Sequence, residues 1–516
     1  MDDGEEAIHH VVDLQEIGGG GDGVMDPLMI SSSSSSHAKK DDKNGKEEKE
    51  EKWEKDEVEL LIDQKLQEVG SSPSDYSIYR LPATQVNEMP EAYIPHRVSI
   101  GPIYHGWQHL KAMEARKMQC LQKFLNREPP EAAAATLSDY IKAVRDLEER
   151  AYQCYAEVDV EKFKGQSFVM MMVVDGCFLL KLLLDWNHED KTFSEAKWSF
   201  IVLHDLILVE NQLPMFVLDE LYRVFIKGMR SDICTQRLYG HISDVFVPRI
   251  SRMLLGKDNI IDKSSPNIQQ LIQDTPKHLL DFVRRFLISP PSPKSFKSHL
   301  RSARAFAPSG LCGGRDGDPP EEVDILSFIK DNKVPRIRCA RELEKAGVKF
   351  QKNNNPTSLT DIKFDDNTGV LTIPGLVIDH RTESILRNLV AYEQYTDDYS
   401  NITEYAAFMD GLIDSREDVD LLNEYGIVVI MLGDPTQVSR LFNNLLKDVV
   451  VPIWDTVPVR VRLEHCYNIR CHKWKASLML NYFNSPWSFI SLVAAIILLT
   501  LTVIQTIYAV LAYYHH

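Results

Sequence analysis

Apolar residues recur at helical spacing along most of this chain, and one segment near its C-terminal end is apolar on every face. Phe489 to Leu511 (FISLVAAIILLTLTVIQTIYAVL) contains no charged side chain. At the α-helical rise it spans about 34 Å, enough to cross a hydrocarbon core of about 30 Å. Trp487 stands at one end and Tyr508, Tyr513 and Tyr514 at the other, where amphipathic rings settle among lipid headgroups. The pattern predicts a transmembrane helix within an anchor over 485–516, carried by Trp487, Phe489, Ser491, Ala495, Gln505, Tyr508 and Leu511. A second apolar run, Ser167 to Trp186, includes Asp175 and Lys181. Each would cost about 2.5 to 3.5 kcal/mol at a bilayer centre, so this run predicts a buried helix of the body.

Val58, Leu61, Ile62, Leu66 and Val69 predict an amphipathic lead-in helix within 57–75, stopped by Gly70 and Pro73. A helical lobe follows over 76–288, with helices predicted at Met113 to Leu125, Leu137 to Tyr155, Trp198 to Val209 and Pro214 to Ile226. Residues 289–322 are rich in Pro, Gly and Ser and predict a long loop. In the second lobe, 323–484, short apolar or alternating runs (Val348 to Phe350, Asp361 to Phe364, Val370 to Ile373, Leu376 to Ile378) surround Asp365-Asp366-Asn367-Thr368-Gly369. That is a hairpin signal. Helices are predicted again at Ser384 to Tyr395, Ile402 to Ile413, Val419 to Leu432 and Thr436 to Val449. The expected fold is mainly α: a multi-helix globular body with one small β-hairpin sheet and a single C-terminal transmembrane helix. Residues 1–56, with Gly18 to Gly21, the run Ser31 to Ser36 and the mixed charges of Lys39 to Glu57, predict a disordered acidic head.

Charge narrows the picture. The formal net charge of −17 opposes general nucleic-acid binding, which needs a basic footprint. Arg460, Arg462, Arg470, Lys473 and Lys475 precede the apolar span and only Ala-Tyr-Tyr-His-His follows it, so the body is expected on the cytoplasmic side and Asn401 without a glycan. The N-terminal residues lack the basic and apolar regions of a secretory signal. The plasma membrane is the expected location ahead of endomembranes. Eight cysteines without paired spacing fit buried thiols in a reducing compartment.

Catalytic patterns are missing: no phosphate-binding G-x-x-x-x-G-K-[ST] loop, no G-x-G-x-x-G, no H-E-x-x-H and no G-x-S-x-G. His465-Cys466 and Cys471-His472 invite a metal reading. On a helix, however, His465 and His472 lie about 10 Å apart along the axis, too far for one zinc ion. No cofactor or metal is expected. Asp175, Glu210 and Glu393 are carboxylates in apolar surroundings, the setting that suits general acid or base work. Ser99 and His105 invite a nucleophile reading, but no third group orients the His in sequence and a Gly-Pro turn explains the residues adequately. In the loop, Lys294, Lys297, Arg301 and Arg304 form a basic cluster.

Several blocks together resemble the plant domain-of-unknown-function family 247. They are Ile78 to Pro82 (IYRLP), Ala92 to Pro95 (AYIP), Val98 to Pro102 (VSIGP), His105-Gly106, Asp175 to Phe178 (DGCF), Glu210 to Pro214 (ENQLP), Ala340 to Phe350 (ARELEKAGVKF), Arg387 to Gln394 (RNLVAYEQ) and Asn484 to Gln505. They follow the family's order from about residue 78 onward. The chain departs from the pattern at Ile103-Tyr104, where the family more often has an aromatic followed by His, and at Met215, where an aromatic is usual. The resemblance implies a mostly helical land-plant protein with one C-terminal span. Some members take part in pollen self-incompatibility in grasses, which implies recognition rather than catalysis.

The leading expectation is therefore a membrane-anchored protein-interaction module whose partners are the lipid bilayer and a protein that the sequence does not identify. A homodimer through the anchor is also expected from the small pair Ser491 and Ala495 with the polar Gln505. The alternative is a membrane-attached enzyme using Asp175, Glu210 or Glu393. Two of these carboxylates in one polar cleft would favour the enzyme; separate buried partners would favour the binding protein.

Overall fold

A computed structural model describes residues 57–68, 76–126, 135–156, 165–185, 202–226, 231–256, 275–288, 334–396, 400–453, 455–468 and 486–514. The predicted head, the loop 289–322 with its basic cluster, and Cys471 and His472 lie outside them. Helix α1 (Glu57–Glu68) belongs to an N-terminal unit of its own. It has the predicted lead-in position, and Val58, Leu60, Leu61 and Ile62 are each more than half exposed.

The rest of the chain forms one unit that begins with helices α2 (Ala83–Glu88) and α3 (Pro90–Tyr93). Then come α4 (Lys111–Leu125), α5 (Leu137–Arg145), α6 (Glu148–Tyr152), α7 (Gln166–Asp185), α8 (Met215–Phe225), α9 (Ser231–Leu255) and α10 (Leu279–Leu287). The apolar run with Asp175 and Lys181 becomes α7, which packs against α4, α5, α8 and α9 and is mostly buried in the body. Gly176 lets α8 approach: a Cβ there would stand 2.1 Å from Leu221 Cδ1. The helix predicted over Leu137 to Tyr155 is divided into α5 and α6. Thr136 and Asp139 form a capping box at the start of α5. Pro214 occupies the N-cap of α8 rather than its first turn. The helix predicted to reach Val209 stops near Asp205, for a reason that lies in the next residues. Helices α9 and α10 are not among the predicted elements, and Pro248 sits inside α9.

The second half contains α11 (Ala340–Lys345), β1 (Lys349–Asn353), β2 (Lys363–Asp365), β3 (Val370–Pro374), β4 (Leu376–Ile378), α12 (Thr382–Glu393), α13 (Asn401–Leu412), α14 (Arg416–Glu424), β5 (Val428–Ile430), α15 (Pro435–Leu445) and α16 (Val457–Asn468). The hairpin is present: β2 and β3 are antiparallel, with Phe364 opposite Leu371. Its turn is held by Asp365, which accepts from Asn367 N and Thr368 Oγ1, and Gly369 supplies φ +67°. Two features exceed the prediction. Strand β1 pairs parallel with β3, and β4 pairs parallel with β5 in a second, two-stranded sheet. The helix predicted over Val419 to Leu432 therefore ends at Glu424, and Gly426, at φ +67°, turns the chain into β5. Side chains from both sides of 289–322 enter one core, among them Phe282, Leu371, Leu389 and Tyr392.

Helix α17 (Pro486–Tyr514) covers the predicted span, and no part of Val493–Leu511 is buried against protein. Its polar groups turn inward on the helix. Thr500, Thr502 and Thr506 hydroxyls donate to the carbonyls of Ile496, Leu498 and Thr502, at 2.7 to 2.8 Å.

A polar clamp and the cleft in front of it

Outside α2 and α3 the chain from Ile78 to Gly101 is irregular, so its buried N–H groups there need partners that a sheet or helix would otherwise supply. Side chains between Asp205 and Gln212 supply them. Asp205 Oδ1 accepts from His96 N at 2.9 Å, and Oδ2 from Arg97 N and Val98 N at 2.7 and 2.9 Å. Asn211 Oδ1 accepts from Ile100 N at 2.7 Å while its Nδ2 donates to Val98 O and Asp205 O. Glu210 accepts from Leu81 N at 2.6 Å and from the Tyr104 hydroxyl at 2.5 Å. Burial, then the Glu210 charge, holds that phenol well above its usual range. Gln212 donates to Leu206 O and Leu208 O and accepts from Leu280 N. These residues leave the helix after Asp205 because each side chain is committed to a backbone group elsewhere. Gly101, at φ +76°, completes the fit: a Cβ would lie 2.6 Å from Gln212 O.

Beneath this clamp is a buried ion pair. Lys117 is fully buried, and its Nζ donates to Asp175 Oδ1 at 2.7 Å, Glu114 Oε1 at 2.7 Å and Ser99 O at 2.5 Å. Asp175 Oδ2 accepts from Gly101 N at 2.9 Å. Burial raises the Asp175 carboxyl above its ordinary value, and the Lys117 ammonium opposes that rise. Ser99 donates its hydroxyl to Glu114. Glu393, in α12, accepts from Arg284 Nε, Thr403 N and Thr403 Oγ1 at 2.8 Å and from Ile402 N at 3.2 Å. Thus the three carboxylates expected to offer acid or base chemistry have separate partners: Asp175 holds Lys117 and Gly101, Glu210 holds Leu81 and Tyr104, and Glu393 holds Arg284 and α13. The thiols of Cys120 and Cys177 are buried in the packing, and burial pushes Cys177 up to about 12.

In front of the clamp lies a cleft of about 820 Å³ between α2–α3, α12 and α15. Its lining includes none of Asp175, Glu210 and Glu393. Val390 and Ala391 give it an apolar floor, and Glu88, Glu91, Arg387, Arg440 and Lys447 line it with charge. Lys447 Nζ meets Glu88 Oε1 at 2.6 Å, linking the end of α15 to α2 through side chains that are more than half exposed. Arg387 is held by Glu383 at 2.9 Å. Arg440 makes no hydrogen bond or ion pair among the described residues. Gln394 closes one end by pairing both its amide atoms with Val450 N and O. Beside it, Asp448 has φ 59°, the left-handed region that Asp tolerates better than most residues. Sequence reasoning missed these groups because they come from segments about 290 to 360 positions apart. Only Arg387 to Gln394 stood out, as part of a family block.

The sequence profile of the plant family DUF247, described as plant proteins of unknown function, matches residues 78–501. The chain belongs to this family. Among similar proteins, the UPF0481 protein At3g47200 of Arabidopsis thaliana is 31% identical over 450 residues, covering 84% of this chain and 86% of the relative. A second Arabidopsis thaliana UPF0481 protein, At3g02645, is 26% identical over 501 residues, covering 87% and 93%. No solved structure gives a significant match. The DUF247 blocks now have physical roles. ENQLP and DGCF supply clamp side chains, IYRLP and VSIGP supply the backbone they hold, AYIP accepts from Ser384 and Asn388 at Ala92 O, and RNLVAYEQ supplies the cleft floor and its end closure.

Proposed function

We propose that this DUF247 protein is a membrane-anchored recognition module: α17 sits in the bilayer, and the cleft between α2–α3, α12 and α15 takes a segment of a partner protein. The observation that carries the reading is α17, a 29-residue helix with no charged side chain and none of its apolar core buried against the body. The inward bonding of its threonines supports a lipid setting, where each polar group must find a partner within the protein. The basic residues upstream of α17 support a body on the cytoplasmic side of the membrane. The Gln505 side chain makes no hydrogen bond among the described residues, which supports pairing of two anchors around it.

The saturated carboxylates argue against the enzyme alternative, whereas the cleft has the size and the mixture of apolar floor and charged rim of a binding site. A photo-crosslinking residue placed at Glu91 or Gln437, in the cleft, and at Asn423, outside it, tests this in plant membranes. Specific adducts from the cleft positions, lost when Arg440 is changed to Glu, are expected. Equal adducts from all three positions, or adducts indifferent to Arg440→Glu, would refute cleft binding.

A further inference from the structure

His204 lies between two oxygen atoms. Its Nε2 is 2.8 Å from Ser384 Oγ, and its Nδ1 is 3.2 Å from Asp205 Oδ1. The Ser384 hydroxyl donates to Ala92 O at 2.7 Å, so its oxygen is available to accept Nε2–H. In that tautomer Nδ1 presents a lone pair toward a carboxylate oxygen, a contact that either a proton on Nδ1 or a metal cation held between the two atoms satisfies. His96 stacks on His204 with ring centroids 4.7 Å apart. The ligating atoms of His96, His204 and Asp205 all lie within 4.8 Å of one another. His96 is exposed, whereas His204 and Asp205 are buried.

We infer that His96, His204 and Asp205 form a binding site for a divalent transition-metal ion of the zinc class, open to water on the His96 side. Two imidazoles and a carboxylate make a borderline-soft donor set with a fourth position for solvent. The surrounding shell is of the kind that orients metal ligands. His204 is fixed by the relay Nε2–H to Ser384 to Ala92 O. Asp205 is fixed by the N–H groups of His96, Arg97 and Val98. Zinc bonds of about 2.0 to 2.2 Å require the His96 ring to swing inward from its stack, which its exposure permits while its backbone stays tied to Asp205. The metal would join the α3 side of the cleft to α12, which carries Ser384.

A catalytic serine triad is the competing reading of Ser384, His204 and Asp205. Ser384 is only 5% exposed and is enclosed between His204 and Ala92 O, out of reach of a substrate carbonyl. Its absence from the cleft lining agrees.

The test uses the full chain in detergent, stripped with a chelator and titrated with zinc against a chromophoric competitor, with cobalt(II) as a spectroscopic probe. Uptake of one equivalent is expected, with a cobalt spectrum free of thiolate charge transfer. His96→Ala should weaken binding by at least about tenfold, since loss of an outer-shell partner alone costs that much. An unchanged melting profile of the metal-free variant would show that its fold is intact. His204→Gln should act in the same direction, and His465→Ala, at a separate histidine, should leave affinity unchanged. No zinc uptake by the wild type, equal affinity in His96→Ala, or a thiolate band would overturn the assignment.

Discussion

Replacing Lys117 with Met tests the buried ion pair, because Met keeps much of the side chain's shape while removing its charge. Lys117 is fully buried and Asp175 is 1% exposed. The loss leaves Asp175 Oδ1, Glu114 and Ser99 O without their 2.5 to 2.7 Å contacts. Removing one member of a buried pair costs about 3 to 5 kcal/mol, mostly from the charge left behind. The pH dependence follows from the raised carboxyl of Asp175. A folded-state value above the unfolded one means that folding favours the protonated acid, so its contribution is fully present below the unfolded value, near 3.9, and is lost as pH rises through the folded value. Without Lys117 the folded value climbs further. Lys117→Met should therefore be most damaging near pH 7.5 and should regain part of its stability near pH 5. Adding Asp175→Asn should also recover part of the loss at neutral pH. Urea unfolding of the full chain in detergent, followed by tryptophan fluorescence, reads both effects. A loss equal at the two pH values, together with a double variant no better than Lys117→Met, would refute the reasoning.

Gly101→Ala should destabilise the clamp by about 1 to 3 kcal/mol, because it combines a left-handed φ with a Cβ 2.6 Å from Gln212 O; an unchanged urea midpoint would show that the loop relaxes freely. Deleting Pro486 to His516 should move the protein from the carbonate-resistant membrane pellet to the soluble fraction, and retention in the pellet would point to a second insertion element. Replacing both Ser491 and Ala495 with Leu should reduce crosslinked dimers in membranes, and an unchanged yield would remove anchor pairing.

The parts of the fold legible in the sequence are those set by local pattern. A charge-free run gave the position of α17, and Asp175 with Lys181 separated α7 from a second span. Asp365 to Gly369 marked the β2–β3 hairpin through turn chemistry carried within five residues. The parallel partners β1 and β5 were not legible, since a parallel pair joins segments without a local turn between them. Val428 to Ile430 was also embedded in a longer apolar stretch that fitted a helix equally. The clamp was legible only as unexplained polar residues. Asp175 meets Gly101 across 74 positions and Ser384 meets Ala92 across 292, and side-chain-to-backbone bonding leaves no periodicity. Lys117 gave no signal, as burial of a lysine depends on partners supplied by α7 and the Ser99 segment.

The clamp also shows why ENQLP resembles chemistry without offering it. A carboxylate that acts on a ligand needs an oxygen lone pair facing open space. Asp175 spends its oxygens on the Lys117 ammonium and the Gly101 N–H, Glu210 on an N–H and a phenol, and Glu393 on a guanidinium, two N–H groups and a hydroxyl. Their burial follows from the length of irregular backbone they satisfy, since unpaired N–H groups inside the core would each cost about 1 to 3 kcal/mol. The cleft has the opposite character. Arg440 and Glu91 face it with bonding capacity unused inside the described fold, and Glu88 and Lys447 share one exposed ion pair that an incoming chain can exchange at little cost. Polar groups committed to the fold behind and exchangeable charges in front are the contrast that favours the cleft, and not the most polar residues of the core, as the proposed recognition surface.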